Sequence, residues 1–554
     1  MISFIRKTLF ASVMVMMACT AANAQDPPRA KTIDVTSTFK PVLREASKIN
    51  FNAAPPAVDT TKPRLTYKIP VENLVFTYQP ADLNPVALPM DSLGAWQYSN
   101  YIKVGIGNVH VPYVKAGFSF GDNRNTFFNL FASHYSAKGS LPFQKNSQTA
   151  VGATATYKSP KNMEWNGSIG FSSDNNYLYG FRPESLPFTK DDLKQRFQTI
   201  EGKVHFRNIE PTEFGLNYHP SLRVSSFSDG HDPKASETNT VLDLPLEKTF
   251  GEKFAFKLGA TADLTNYRRD INGDKESIQN NLYYVSTAVI LKTPTLYLHG
   301  GIRPSWDRKQ FHMLPNIMAD ITTSDQRFTV QAGWIGYYEK GSYQRFASIN
   351  PWLAQPGDSS IMSTRVIEGY LGLKGSLGDH FSYSAKVGMN RYHNIPLFVN
   401  DYTQAGRNFI IRMEPRLDAL QIHSELAYQV GEQFSTKVGL NLRSFTGLEK
   451  EQKAWGLIPM ELNASLRWQL LKDLWFYSEL WAWDGGRYLG ADDTDYKMKG
   501  AFDLSSGAEF RITKNFNLWL QFNNILNNKY ERWNQYQVYE FNLLGGVTYS
   551  FNQK

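Results

Sequence analysis

Cysteine is almost missing from this chain: its 554 residues hold one, Cys19, in a stretch expected to be removed on export. A mature chain without cysteine has no disulfide scaffold, no thiol nucleophile and no cysteine-ligated metal. Also lacking, beyond the first residues, is any apolar run near the roughly 20 residues that a spanning helix needs, which excludes a helical membrane protein. No basic block accompanies the net charge of +8, so nucleic acid is not an expected partner. Nor is there a GxSxG, an HExxH or a phosphate-cradling GxxxxGK[ST]. The expectation is a protein that is not an enzyme, with no catalytic residues, metal or cofactor.

What is present begins with "MISFIRKTLFASVMVMMACTAANAQ". Arg6 and Lys7 precede an apolar run and then Ala22-Asn23-Ala24, the pattern of a secretory signal over 1–24, cleaved after Ala24. A lipidated Cys19 is the competing reading, and Met16-Met17-Ala18 before it make a poor lipobox. Residues 25–95 are punctuated by proline, which holds a chain extended and donates nothing to a ladder. They read as an extended periplasmic or lumenal arm. From 96 to 554 the texture becomes short alternating segments separated by turns. In "KFAFKLGATADLTNY", Phe254, Phe256, Leu258, Ala260, Ala262 and Leu264 share one face, and Lys257, Gly259, Thr261, Asp263 and Thr265 the other. "FSYSAKVGMN" and "FSTKVGLNLR" repeat the pattern, which makes strands with one greasy and one wet side.

About 22 such strands can be counted, and 20 would also fit. Short connections ("SPKN", "GEK", "KTPT", "LGDH", "GEQ") alternate with long ones ("RRDINGDKESIQ", "KGSYQRFASINPWLAQPGDSS", "NIPLFVNDYTQAGRN", "NNKYERWNQYQVYE"). That alternation, with aromatics at 14% in a polar chain, predicts an all-β, transmembrane antiparallel β-barrel with both ends at the periplasm. The location implied is the outer membrane of a Gram-negative bacterium, with outer-membrane lipid around the barrel.

The closing stretch "FNLWLQFNNILNNKYERW…EFNLLGGVTYSF" resembles the last hairpin of TonB-dependent outer-membrane receptors. Asn524, Ile525, Leu526, Asn527 and Tyr530 match its Asn-Leu-Phe-Asp-x-x-Tyr-like part, followed by Gly546, Tyr549 and Phe551. The resemblance implies that these last three form the assembly signal read by the barrel-insertion machinery. It also implies a plug domain of well over 100 residues, where this chain has only about 70 between signal and barrel. The expectation is therefore a plugless relative. An unfilled barrel of this size would breach the membrane, so the arm, inward-folded outer loops or a separate protein must occupy the lumen.

A Lys-apolar-Gly triplet recurs at Lys103, Lys257, Lys386 and Lys437. By alternation all four face the lumen at similar heights, a loose basic ring for acidic groups of the arm or simply solvated lysines on a wet wall. Arg412, Glu414, Arg416 and Asp418 share the parity of lipid-facing Leu420 and Ile422, which places them above the bilayer. Trp475, Tyr477, Trp481 and Trp483 suit an aromatic belt at the membrane boundary, with a sugar-binding surface as the other reading for Trp481 and Trp483. Asp270, Asn272, Asp274 and Glu276 depart from calcium-loop spacing. Two function classes follow: a structural or partner subunit of an outer-membrane complex, for example beside a surface lipoprotein, or a partly occluded conduit whose lysines favour anionic solutes.

Overall fold

The computed structural model describes residues 100–551 except 122–124, 182–187, 232, 272 and 326. The signal, the arm at 25–95 and Asn552–Lys554 lie outside the described residues. In the strand Phe254–Ile271, Phe256, Leu258 and Leu264 are exposed, whereas Thr261, Thr265 and Tyr267 on the opposite face are buried. The same inversion runs through the sheet: Ile200 and Val289 are each 56% exposed. Large apolar residues left outside in such numbers are a poor arrangement in water and the expected one in hydrocarbon.

Among the described residues the main sheet has 23 segments. Two of them, Leu216–Tyr218 and Ser221–Asp229, pair with the same strand, Ala235–Phe250. They are one strand interrupted at His219-Pro220, where proline has no donor for the ladder. The result is a closed antiparallel barrel of 22 strands. Closure is made by Asn100–Gly107, which pairs with its neighbour His110–Gly121 and with the last strand, Asn542–Phe551.

The seam is tight. Gly105 stands opposite Gly546, and a β-carbon on Gly546 would lie 1.9 Å from the Val104 carbonyl oxygen. The Trp519 ring covers Gly105, at 2.4 Å from where its β-carbon would be. Glycine is needed at both positions because backbone and indole already fill the space.

Connections at the end holding residues 100 and 551 are short, as at 160–162, 251–253, 378–380 and 431–433. At the other end, two expected loops are strand instead. Phe254–Ile271 and Asp274–Lys292 run into "RRDINGDKESIQ" from both sides and stay paired as far as Ile271 and Asp274, and Phe381–Asn400 absorbs "NIPLFVN". Above a bilayer both strand faces are wet or covered by loops, so polar residues do not end the ladder there.

The aromatic-belt reading of Trp475, Tyr477, Trp481 and Trp483 is corrected. Their parity is opposite to that of outward-facing neighbours in the paired strand, Phe502 and Phe510, and Trp475, Tyr477 and Trp483 are nine-tenths or more buried on the inner side. Tyr477 lies over Gly507 of the adjacent strand, filling the glycine's missing side chain from within.

Candidate functional site

The functional region is built by the segment 340–363, which follows the strand Phe328–Glu339 and folds into the mouth opposite the short turns. Its sequence fixes a small helix, α1, Tyr343–Ile349. Ser342 caps it by accepting from the Arg345 N–H at 3.2 Å, and Asn350 ends it just before Pro351, which disfavours helical geometry in the preceding residue. Tyr343, Phe346 and Ala347, spaced at i, i+3 and i+4, form the buried face.

The barrel wall supplies a second cap. Glu237, 2% exposed, accepts from the backbone N–H groups of Tyr343 at 2.6 Å and Gln344 at 3.3 Å. A carboxylate at a helix start meets both the free donors and the positive end of the dipole. The Tyr343 hydroxyl donates to Asp229 at 2.6 Å; burial, reinforced by that carboxylate, raises the phenol well above its usual pKa.

Lys340 anchors the segment's start. Its ammonium donates to the Asp263 carbonyl at 2.9 Å and to the Asn280 carbonyl, and lies 3.3 Å from the Asp263 carboxylate. Burial pushes its pKa down while Asp263 pulls it up. Farther along, the amide of Gln195 donates to the Leu353 carbonyl at 2.9 Å, and the Trp352 indole to the Tyr177 carbonyl at 3.1 Å.

A second inward segment comes from 524–541, whose hairpin Glu531–Trp533 and Tyr536–Gln537 carries two buried rings. Tyr536 stacks on Trp352 with centroids 3.9 Å apart, and Trp533 packs edge-on against Phe398 and Phe409. Tyr179 donates to the Gln537 carbonyl at 2.7 Å. Beside Trp533, Arg532 donates to the Gly456 carbonyl at 3.1 Å, and burial lowers it to about 10. Inward residues of the wall (Phe197, Phe227, Tyr267, Ile278) complete one continuous apolar core across the mouth. Beneath α1 a cavity of about 280 Å³ is lined by polar wall groups, including Gln148, Asp174, Asn176 and Thr199.

The four lysines singled out by sequence are outside this core and have the parity opposite to the exposed apolar residues of their strands. Lys257 is 3.2 Å from Glu247 and Lys437 is 2.8 Å from Glu425. Lys386 pairs with Glu368 and stands 4.0 Å over the Tyr370 ring, and Lys103 lies 4.5 Å over Trp519. Three of the four thus meet a carboxylate of the wall itself. Gly546 occupies the closing seam, and Tyr549 and Phe551 stack outside it with centroids 5.7 Å apart.

The Arg412–Asp418 row faces outward in the strand Phe409–Val430. Glu414 is fully buried there, accepting from the backbone N–H groups of Glu449, Lys450 and Glu451 in a loop folded against the barrel's exterior. Arg391 and Arg416 flank Asp418 at 2.8 and 2.7 Å. Asp270 accepts from the Gly273 N–H at 2.8 Å and Glu276 pairs with Arg269 at 2.5 Å. Sequence reasoning missed α1 and its wall anchors. Ser342 followed by Tyr343, Phe346 and Ala347 was the available signal, hidden in what read as a polar loop.

No family model matches the chain, and no curated protein matches it. Solved structures do. The barrel is similar to the FrpB iron transporter from Neisseria meningitidis, with a TM-score of 0.63 at 10% identity, covering 82% of this chain and 81% of that one. It is similar to the siderophore receptor PirA from Acinetobacter baumannii at 0.63 and 9%, covering 82% and 80%. P. aeruginosa FpvA bound to heterologous pyoverdines gives 0.61 and 10%, covering 82% and 72%. At such identities the shared property is the fold, that of the 22-stranded siderophore and iron receptors of the outer membrane.

Proposed function

We propose that this chain is a plugless receptor-type outer-membrane barrel, shut at its outer mouth in the resting state, and the membrane-embedded subunit of an outer-membrane complex. The observation that carries the reading is the core across the mouth. Tyr343, Phe346, Trp352, Leu353 and Tyr536 are each no more than 3% exposed. At about 1.5–3 kcal/mol per large side chain, exposing these five together costs on the order of 10 kcal/mol, so an open mouth is a negligible population without a ligand or partner that favours it.

That balance opposes a conduit open to free diffusion. Anion preference also lacks support, because the carboxylates beside Lys257, Lys386 and Lys437 cancel most of their field. A packed outer surface is, in contrast, preorganised for docking, since little ordering remains to oppose association. The partner in this reading is a surface lipoprotein or another exported subunit that engages the outer loops. The barrel-insertion machinery acts only during assembly, through Gly546, Tyr549 and Phe551.

Planar-bilayer conductance of the purified barrel, run beside gentle-detergent purification from its own host, tests the proposal. Silence together with a stoichiometric companion is the expected result. A stable open current from a barrel that purifies alone would overturn it.

A further inference from the structure

At the rim of the barrel, the end of Ser221–Asp229 and the start of Ala235–Phe250 stand between Lys194–Asn208 on one side and the paired strands Phe254–Ile271 and Asp274–Lys292 on the other: the Gly230 N–H donates to the Arg196 carbonyl at 2.8 Å and the Asp270 N–H to the Lys234 carbonyl at 3.3 Å. Between these walls lies a cleft of about 1640 Å³. Seven cations line it; Arg269 is paired with Glu276, which leaves Lys194, Arg196, Lys234, Arg268, Lys275 and Arg407.

Alternation fixes which way the strand-borne cations point. Phe197, Tyr267 and Ile278 are buried in the mouth core, so their neighbours Arg196, Arg268 and Ser277 face outward and are exposed. Arg196 continues the outward row of Ile200 and Val204, and Arg268 that of Leu264, all of them exposed apolar residues of the lipid face. Four residues separate Arg196 from Ile200, and four separate Arg268 from Leu264, about 13 Å along a strand. The outward positions between are neutral and polar: Gln198 in one strand and Asn266 in the other. Apolar band, neutral polar band and basic band therefore succeed one another on the same outer face.

Of the five carboxylates in the lining, Asp229 accepts from the Tyr343 hydroxyl and Glu276 pairs with Arg269. Asp192 accepts from the N–H and hydroxyl of Thr189, both at 2.7 Å, and Asp270 accepts from Gly273, so each closes its own turn. Arg196 donates to the Asn175 side chain at 2.9 Å, a neutral partner, and Arg407 lies 5.1 Å over the Phe188 ring.

We infer that this cleft is a binding site for the phosphate groups of an outer-leaflet lipid. The chemistry recognised is a clustered phosphate dianion, met by guanidinium forks and ammonium points at headgroup height. The acyl chains of the same molecule lie along the Ile200–Val204 and Leu264 rows. This rests on the barrel spanning an outer membrane and is independent of whether its mouth is shut, so conductance and lipid binding fail separately.

The test measures binding of bisphosphorylated lipid A, monophosphoryl lipid A and inorganic pyrophosphate to the detergent-purified full chain and to an Arg196→Gln, Arg268→Gln, Lys275→Gln variant. All three positions are exposed, where substitutions move stability little; heat-modifiable electrophoretic mobility confirms the fold, and the single Arg196→Gln chain serves if the triple variant fails that check. Lys437→Gln, on the lumen face, is the control. Bisphosphorylated lipid A is expected to bind the wild type and the control alike, the monophosphoryl form less well, and the variant about tenfold or more weakly. Undiminished binding by the variant overturns the inference. So does pyrophosphate binding as tightly as lipid A, which would assign the cleft to a soluble phosphate compound.

Discussion

The rings of Trp352 and Tyr536 stack face to face with centroids 3.9 Å apart and planes inclined by 23°, although one belongs to the α1 segment and the other to the last outer loop. Each also holds backbone: the indole donates to Tyr177, and the phenol donates to the Arg407 carbonyl. Four segments of the mouth are tied through this one pair.

Trp352→Ala should therefore unlatch the mouth. Removing a fully buried indole costs about 3–5 kcal/mol, a large part of what holds 340–363 in place. Bilayer recordings of the variant are expected to show opening events absent from the wild type. Unbroken silence would mean that the seal does not depend on this core.

Glu237→Gln keeps the side chain's shape and removes its charge from the start of α1. The loss expected is about 1–2 kcal/mol, read as roughly tenfold faster amide exchange over 343–349 with the barrel strands unaffected. Equal exchange in both chains would make the cap incidental.

Lys340 gives the closed mouth a pH dependence of definite sign. Burial sets its folded pKa below the ordinary 10.5, so between the two values the open segment binds a proton that the closed one resists. Closure gains stability as pH rises towards 10.5 and loses it as pH falls through the lowered value. Subtilisin should thus cut 340–363 more slowly at pH 9 than at pH 8, below the range in which Tyr343 and Tyr536 would ionise on opening and weaken closure, after correction for protease activity, and Lys340→Met should abolish the difference. A wild type with no such slope would contradict the assignment.

At the closing seam, Gly546→Ala and Gly545→Ala should part company. The first places a β-carbon 1.9 Å from the Val104 carbonyl oxygen, which cannot move without breaking the seam; the second meets the flexible end of Leu520 at 3.0 Å and the Trp519 carbonyl oxygen at an ordinary contact distance of 3.5 Å. Loss of the heat-modifiable folded band is expected for Gly546→Ala alone. A folded Gly546→Ala barrel would show that the seam can relax.

The barrel was legible in the sequence because lipid outside and water inside impose a period of two that no loop imitates, as at Phe254 to Leu264. Period alone does not say which face is inside once both carry rings. Trp475 and Trp483 were read as belt residues for that reason, when the aromatic side of this strand lines the interior. The mouth was hidden for a different one. α1 is seven residues long, too short to show its period clearly, and its anchors Glu237, Asp229 and Gln195 belong to strands far away in the chain. Nothing local marks a wall carboxylate as a helix cap. The lumen lysines were found by repetition, but their partners Glu247, Glu425 and Glu368 were not, since cross-strand register is what pairs them.

The residues proposed to seal the mouth run from Leu178 to Tyr536, and they converge only once the 524–541 segment before the last strand is in place. The stopper therefore needs nearly the whole chain. A chain cut short before Trp533 would lack both its seam and its closure, so a quality check that reads the carboxyl-terminal strand would also, without touching the outer loops, keep leaky tubes out of the membrane.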